Sequence, residues 1–478
     1  MQIYDKDKLC DELLKMYDFG YSDKNMKDYF IKAFNQHVLN RIKFLYEKSS
    51  HIIIEKEYVE TEWKEMISYH YINTTYYNQI NNRVIRIHFL NSNVLSENNY
   101  LGHITLRPVP ELRVALSFVY LNWSNTIWKH DFFDSEAHVM TYKKYIHIDE
   151  YELIIDSYPL FSQDSIVTCC ADANILMLSK YMSHKYSFKK LRISDIRHSF
   201  FDKRFLPRTV DETFFENILV DNGIPFKCKE YINPCSTFQK EHWEILDDMI
   251  KAYVESELPV IIGFNGHVVQ VIGYCDGGNY IIYDDSGYLN SQLANENIDG
   301  EQPKCFCYST NITRIKDCLQ ENSVHKFFVG ICEHERVYLE YSKYRFHVIN
   351  YINYYYNKGL IDFAGDILDM EKTLPGCQSV HPFADNINVR TLLVSTSILK
   401  QHLSNNCLDW LQEALIKPFI ESNTPHYVWF TEIEYNDKEV LCTVADPTRY
   451  YHTDLINELF FEIIPFPMDK EKRLKTLT

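Results

Sequence analysis

Between Leu258 and Gly287 the chain carries three short apolar runs, spaced so closely that they read as consecutive strands of one sheet. Residues 259–264, 267–274 and 280–283 are the candidates. The last two are joined by Cys275-Asp276-Gly277-Gly278-Asn279, a strong hairpin signal. A hairpin sets the start of one strand opposite the end of its partner. His267 opens the second strand, and Asp284 and Asp285 close the third, so an imidazole and a carboxylate are expected side by side.

A helix is expected over residues 170–181, after a turn-like stretch at 162–168. Cys169 and Cys170 stand at its start, with Gln163 upstream. A cysteine nucleophile needs a thiolate at neutral pH, favoured by a helix N-terminus and a nearby imidazolium. It also needs a histidine that gives and takes the proton, and donors for the oxyanion of the tetrahedral intermediate. The order Gln163, Cys170, His267, Asp285 supplies one residue for each task. Asp285 would hold the imidazole in the right tautomer, as the third member of other triads does. Cys169 competes with Cys170, and Asp284 stands in reserve for Asp285.

The text around these positions resembles the bacteriocin-processing cysteine peptidases (cysteine peptidase family thirty-nine) and their broader group within the papain superfamily. The matching segments are Cys170-Ala171-Asp172-Ala173-Asn174-Ile175-Leu176-Met177, Asn222-Gly223-Ile224, Leu258-Pro259-Val260-Ile261-Ile262-Gly263, Gly266-His267 with the apolar strand ending at Gly273-Tyr274, and Tyr280-Ile281-Ile282-Tyr283-Asp284-Asp285. They span about 130 of the 478 residues. The resemblance implies an α+β, papain-like core, with a helix-borne Cys packed on an antiparallel sheet and α+β regions on either side. It implies a thiol hydrolase, most simply a peptidase, with Cys170, His267 and Asp285 as triad and Gln163 as oxyanion donor. Two departures stand out. Ala171 replaces the family's Gly after the nucleophile. Cys169 lies six residues after Gln163, the usual papain-type interval, and Cys170 seven; Ala173 and Met177 align better with Cys170.

The net charge of −17 repels phosphate backbones, and no Lys/Arg run reverses it locally, so a nucleic-acid partner is not expected. No run of eighteen apolar residues marks a membrane span. The 13 cysteines are odd in number and irregularly spaced, with no secretory leader before them, which reads as a reducing, cytoplasmic setting. Neither a cofactor nor a metal is expected. Cys305, Cys307, Cys318, Cys332 and His334 lack the paired spacing of a zinc knuckle, and the four cysteines read as buried thiols.

The chain divides on this reading into an N-terminal α+β region at 1–150, helices before strands, a peptidase-like core at 151–310 and a C-terminal α+β region at 311–478. Residues 1–80 read as helical; 83–89 and 101–108 read as strands, the second stopped by Pro108. Further helices are expected at 211–222, 242–254, 337–356 and 408–419. Strands are expected at 139–142, 145–155, 326–332, 390–395, 427–434 and 439–444. The last pair, with His426 before it and Asp446 after it, echoes the core hairpin but reads as structural. The expected partner is a peptide or protein substrate. The same residues also suit an acyltransferase or deamidase, or a peptidase-like module that only binds.

Overall fold

The computed structural model describes residues 2–16, 34–69, 83–109, 113–125, 137–163, 168–198, 212–264, 266–275, 278–286, 307–334, 387–406, 423–435, 438–448 and 460–463, with isolated positions at 28–32, 127–128, 337–349 and 417–421. They fall into two compact units. One is Met1–Cys235 with Pro259–Cys332; the other is Ser236–Leu258 with Glu333–Thr478.

The first unit holds two large antiparallel sheets. Strands β1 (Ile3–Asp5), β2 (His51–Tyr58), β3 (Val84–Leu90), β4 (Tyr100–Val109) and β5 (Arg113–Leu121) lie in that order. The sheet ends on β9 (Pro159–Phe161), and β6 (Ala137–Val139), β7 (Tyr142–Ile148) and β8 (Tyr151–Ser157) come between β5 and β9 in sequence. β7 and β8 form a separate hairpin whose Ile146, Ile148, Leu153 and Ile155 pack with Ile53, Leu90 and Tyr100 of the sheet. β3 alternates apolar and polar residues yet is buried at every position, so its polar members must find partners inside. Arg86 pairs with Glu55 and donates to the His147 carbonyl at 2.6 Å. His88 reaches Glu55 at 2.8 Å and the Tyr100 hydroxyl at 2.8 Å.

The second sheet carries the expected meander. β10 (Phe226–Ile232), β11 (Val260–Phe264), β12 (His267–Cys275), β13 (Asn279–Tyr283), β14 (Cys307–Thr310) and β15 (Lys326–Cys332) run in the order β10-β15-β11-β12-β13-β14, and β6 adds to the far end of β12. The helix Cys170–Tyr186 packs on β12 and β9. Its first three turns are buried almost all round, as a helix between layers must be; Ala171, Ala173, Ile175, Leu176, Met177 and Leu178 are buried, and so are the polar Asp172, Asn174 and Ser179. A helix-borne Cys packed on an antiparallel sheet is the papain-like, α+β arrangement.

Two readings of the N-terminal part are corrected. Residues 51–58 form β2 rather than helix, and β1 precedes them. β4 runs through Pro108 to Val109. The helix Glu212–Asp221 stops at Asn222-Gly223, where Gly223 takes φ +81 before β10.

The second unit is a four-stranded antiparallel sheet, β16 (Ile387–Ser395), β17 (Tyr427–Tyr435), β18 (Lys438–Ala445) and β19 (Phe460–Ile463), in chain order. One face packs Leu392, Val394, Val428, Phe430 and Val444 with Leu399, Leu403 and Phe419. Tyr344 stacks on Trp429 at 5.5 Å, and its hydroxyl bridges Thr431 and Thr443. The helix Lys240–Glu255 packs on β16, where Arg390 meets Glu255 and the Leu393 N–H donates to Ser256 Oγ at 2.7 Å. The helices expected at 337–356 and 408–419 lie largely outside the described residues. No helix among the described residues is long and apolar enough to cross a membrane.

Candidate active site

The two adjacent cysteines do different work. Cys169 is the N-cap of its helix, extended at φ −106 and ψ 177. Its N–H donates to Asp172 Oδ2 at 2.9 Å, and its sulfur accepts from the Asp172 N–H, a reciprocal capping box. Burial, with the Asp172 carboxylate beside it, pushes the Cys169 thiol well above its ordinary range. Cys170 begins the helix proper. Its Sγ lies 3.8 Å from the carbonyl of Gly266, the residue before His267, and the thiol is close enough to the imidazole to help raise its pKa. A Cys169→Ser variant is expected to fold within about 1 kcal/mol of the parent, because serine is a good N-cap, and to keep any rapid thiol labelling. Thermal unfolding and peptide mapping check both.

Gly266 makes the approach possible. It turns the chain between β11 and β12 at φ +72, a conformation that favours glycine, and delivers His267 to the start of β12. His267 Nε2 lies 2.8 Å from Asp284 Oδ1 and 3.7 Å from Asp285 Oδ1. Asp284 is further held by the Ser286 N–H at 3.2 Å, Ser286 Oγ at 3.3 Å and the Tyr308 hydroxyl at 3.4 Å. Burial alone would depress the imidazole. The hydrogen bonds with Asp284 and Cys170 and the charges of both aspartates outweigh it and push His267 up to about 11.

Asp285 is fully buried, and neither of its oxygens accepts a hydrogen bond of ordinary geometry. Burial raises its pKa, and the Asp284 charge adds to this. His267, Arg41 and the backbone N–H of Gln163 act in the other direction. The structure therefore brings Cys170, His267, Asp284 and Asp285 together, with Asp284 the nearer carboxylate and Cys169 turned to capping. Gln163 is half-buried, its backbone facing Asp285; residues 164–167 lie outside the described set. Upstream, the Arg107 guanidinium, fully buried, donates to the Ser162 carbonyl at 2.9 Å and anchors the approach to Gln163. Arg107 thus ties β4 to the segment that leads into Gln163.

A second set of residues fixes the helix to the sheet. The Asn174 carboxamide donates to the Cys170 carbonyl at 2.8 Å and to the Val268 carbonyl at 3.0 Å. Gln270 Nε2 donates to the Asn174 carbonyl at 2.6 Å, and the Tyr158 hydroxyl donates to Gln270 Oε1 at 2.8 Å. All three side chains are buried. Sequence reasoning passed over them, though two signals were present. Asn174 sits one helical turn after Cys170, and Gln270 interrupts an otherwise apolar run.

No family model matches the chain, and no curated protein matches it. Among solved structures, UfSP from C. elegans aligns at a TM-score of 0.26 with 12% identity, over 42% of this chain. The alignment spans 34% of that structure's own length. A likeness so slight carries no weight beside the geometry above.

The C-terminal hairpin repeats the core register. Gln270, three residues after His267, pairs with Tyr283, the residue before Asp284. Trp429, three residues after His426, pairs with Ala445, the residue before Asp446. There the likeness ends. His426 is exposed, and Asp446 accepts from the Thr448 N–H at 2.8 Å and Oγ1 at 2.6 Å. Of the cysteines weighed as zinc ligands, Cys307, Cys318 and Cys332 are buried and carry no disulfide; Cys305 is outside the described residues.

Proposed function

We propose that this chain is a thiol hydrolase acting on an amide bond of a peptide or protein, with Cys170 as nucleophile. The observation that carries the reading is one thiol in contact with an imidazole that a buried carboxylate already orients. In this scheme Cys170 Sγ attacks the carbonyl carbon, and the thiol proton passes to His267. The Cys170 N–H and the Gln163 carboxamide receive the oxyanion. His267 then protonates the departing amine, leaving a thioester. Water attacks the thioester with His267 as base, releasing the acid and restoring the thiol.

The two carboxylates favour the protonated imidazole, the form that pairs with a thiolate and can donate to a leaving amine. Asp284 orients the ring through Nε2, which leaves Nδ1 for the sulfur. Asp285 and Arg41 brace the Gln163 end of the site. An amine acceptor in place of water would make the same machinery an acyltransferase, and a side-chain amide would make it a deamidase.

The test is alkylation of the native protein with a haloacetamide at pH 6, mapped by peptide mass spectrometry. Ordinary thiols are almost wholly protonated there, so an activated one stands out. Cys170 is expected to react first and fastest of the 13 cysteines. Slow labelling spread evenly over the accessible thiols would instead fit a peptidase-like module used only for binding.

A further inference from the structure

We propose that His267, Asp284 and Asp285 form a site for one divalent transition cation of the zinc class, and that this cation switches the thiol chemistry off by occupying the imidazole. The switching half rests on the hydrolase reading above; the binding half does not.

Each of the three residues offers a ligand atom, and the three atoms lie within 4.8 Å of one another. Zinc binds nitrogen and oxygen at about 2.0–2.2 Å, which sets tetrahedral ligands about 3.4 Å apart. The His267 Nε2 distances of 2.8 Å to Asp284 and 3.7 Å to Asp285 fall on either side of that spacing. Adjustments of about 0.6 Å and about 0.3 Å would bring both into range. Ser286 Oγ stands 3.5 Å from Nε2 and 3.3 Å from Asp284 Oδ1, a fourth oxygen at the right spacing. One imidazole with two carboxylates suits zinc or manganese better than calcium, which takes six to eight oxygens.

An independent observation points the same way. Asp285 is fully buried, yet neither of its oxygens accepts a hydrogen bond of ordinary geometry. Its partners are the longer His267 contact, the Gln163 N–H and the Arg41 charge, an incomplete set for a buried carboxylate that a cation between it and Asp284 would complete. On binding, the metal replaces the proton that His267 shares with Asp284, and that proton is released to solvent. A ring whose Nε2 is bound to metal keeps its one remaining proton on Nδ1 and can no longer accept the proton of the Cys170 thiol. Cys170 is not a ligand in this scheme, which separates it from direct capture of a metal by the thiolate.

The experiment is calorimetric titration of chelator-treated full-length protein with Zn2+ alone, comparing the parent with Cys170→Ala, Asp285→Asn and His267→Gln, each checked by circular dichroism. Cys170→Ala is expected to keep the tightest site within about threefold. Asp285→Asn and His267→Gln are expected to weaken it by more than about thirtyfold, since loss even of outer partners costs 10–100-fold. Loss of that site in Cys170→Ala overturns the proposal, whatever the folding of the other two variants. So does its full retention in Asp285→Asn. In parallel, Zn2+ is expected to slow alkylation of Cys170 in the parent. If Cys170 is inert without metal while the site binds zinc in Cys170→Ala, the hydrolase reading fails and the metal site stands.

Discussion

Replacing His267 with alanine lowers the rate of Cys170 alkylation at pH 6 by at least about a hundredfold, the lower end of what a positioned acid–base group contributes. The ring stands between Cys170 and the carboxylate of Asp284, which it meets at 2.8 Å. Removing it leaves the thiol beside the Gly266 carbonyl, which can accept a proton in a hydrogen bond but cannot stabilise a thiolate. The other accessible cysteines supply an internal reference, since their rates should not change. The substitution also removes the imidazole that both buried carboxylates face, leaving them Arg41, the Ser286 and Tyr308 donors and the Gln163 N–H, so some loss of stability is expected and is read separately from urea unfolding. A rate within about threefold of the parent, in protein shown to be folded, would remove His267 from the mechanism.

Substitution of Gly102 with alanine costs about 3 kcal/mol or more, the upper end of what a single overpacked site produces. Gly102 lies in β4 opposite Phe89 on one side and Leu121 on the other. Its φ of +149 is a conformation that side chains rarely adopt, and an added Cβ would overlap the Tyr120 carbonyl oxygen. Both neighbouring strands are held by long ladders, so the backbone cannot move away without breaking pairs on one side. Urea unfolding followed by circular dichroism measures the loss as a lower midpoint. An unchanged midpoint would mean that β4 and β5 pair differently from the register described. This effect arises in the N-terminal sheet, away from Cys170, so the surviving folded fraction should alkylate at the parental rate.

The core meander was legible because its signals are local. Gly266-His267, the Gly-rich turn and the apolar runs on either side fix three strands with little help from the rest of the chain. The cysteine at a helix start was legible for the same reason. The choice between Asp284 and Asp285 was not, and the cause is a bulge. Pairing from the turn runs Cys275 with Asn279, Tyr274 with Tyr280 and Gly273 with Ile281, then slips so that Val271 meets Ile282 and Gln270 meets Tyr283. Continued without the slip, the ladder would place Asp285 on the face of His267. The extra residue at Ile272 moves the register by one and brings Asp284 there instead. Nothing in the local text announces that residue.

β2 escaped for a different reason. His51-Ile52-Ile53-Ile54-Glu55 has an unbroken apolar run followed by charge, which fits neither the period of two nor that of 3.6. Its burial comes from β3 and from the β7–β8 hairpin, both distant in sequence. The Asn174–Gln270–Tyr158 chain is likewise a product of docking between distant segments, and no spacing rule links them.

That docking has a kinetic side. The thiol and the turn that carries its histidine are 96 residues apart, and Asn174 binds the carbonyls of both Cys170 and Val268 only when helix and strand have met. Contacts between such distant segments form late and slowly, because the intervening chain must be closed before they reward it. A chain in which helix and strand have not docked therefore holds Cys170 apart from His267. On the proposed reading, reactivity at Cys170 waits on the docking of helix and sheet, since only that docking brings the turn that carries His267 to the sulfur.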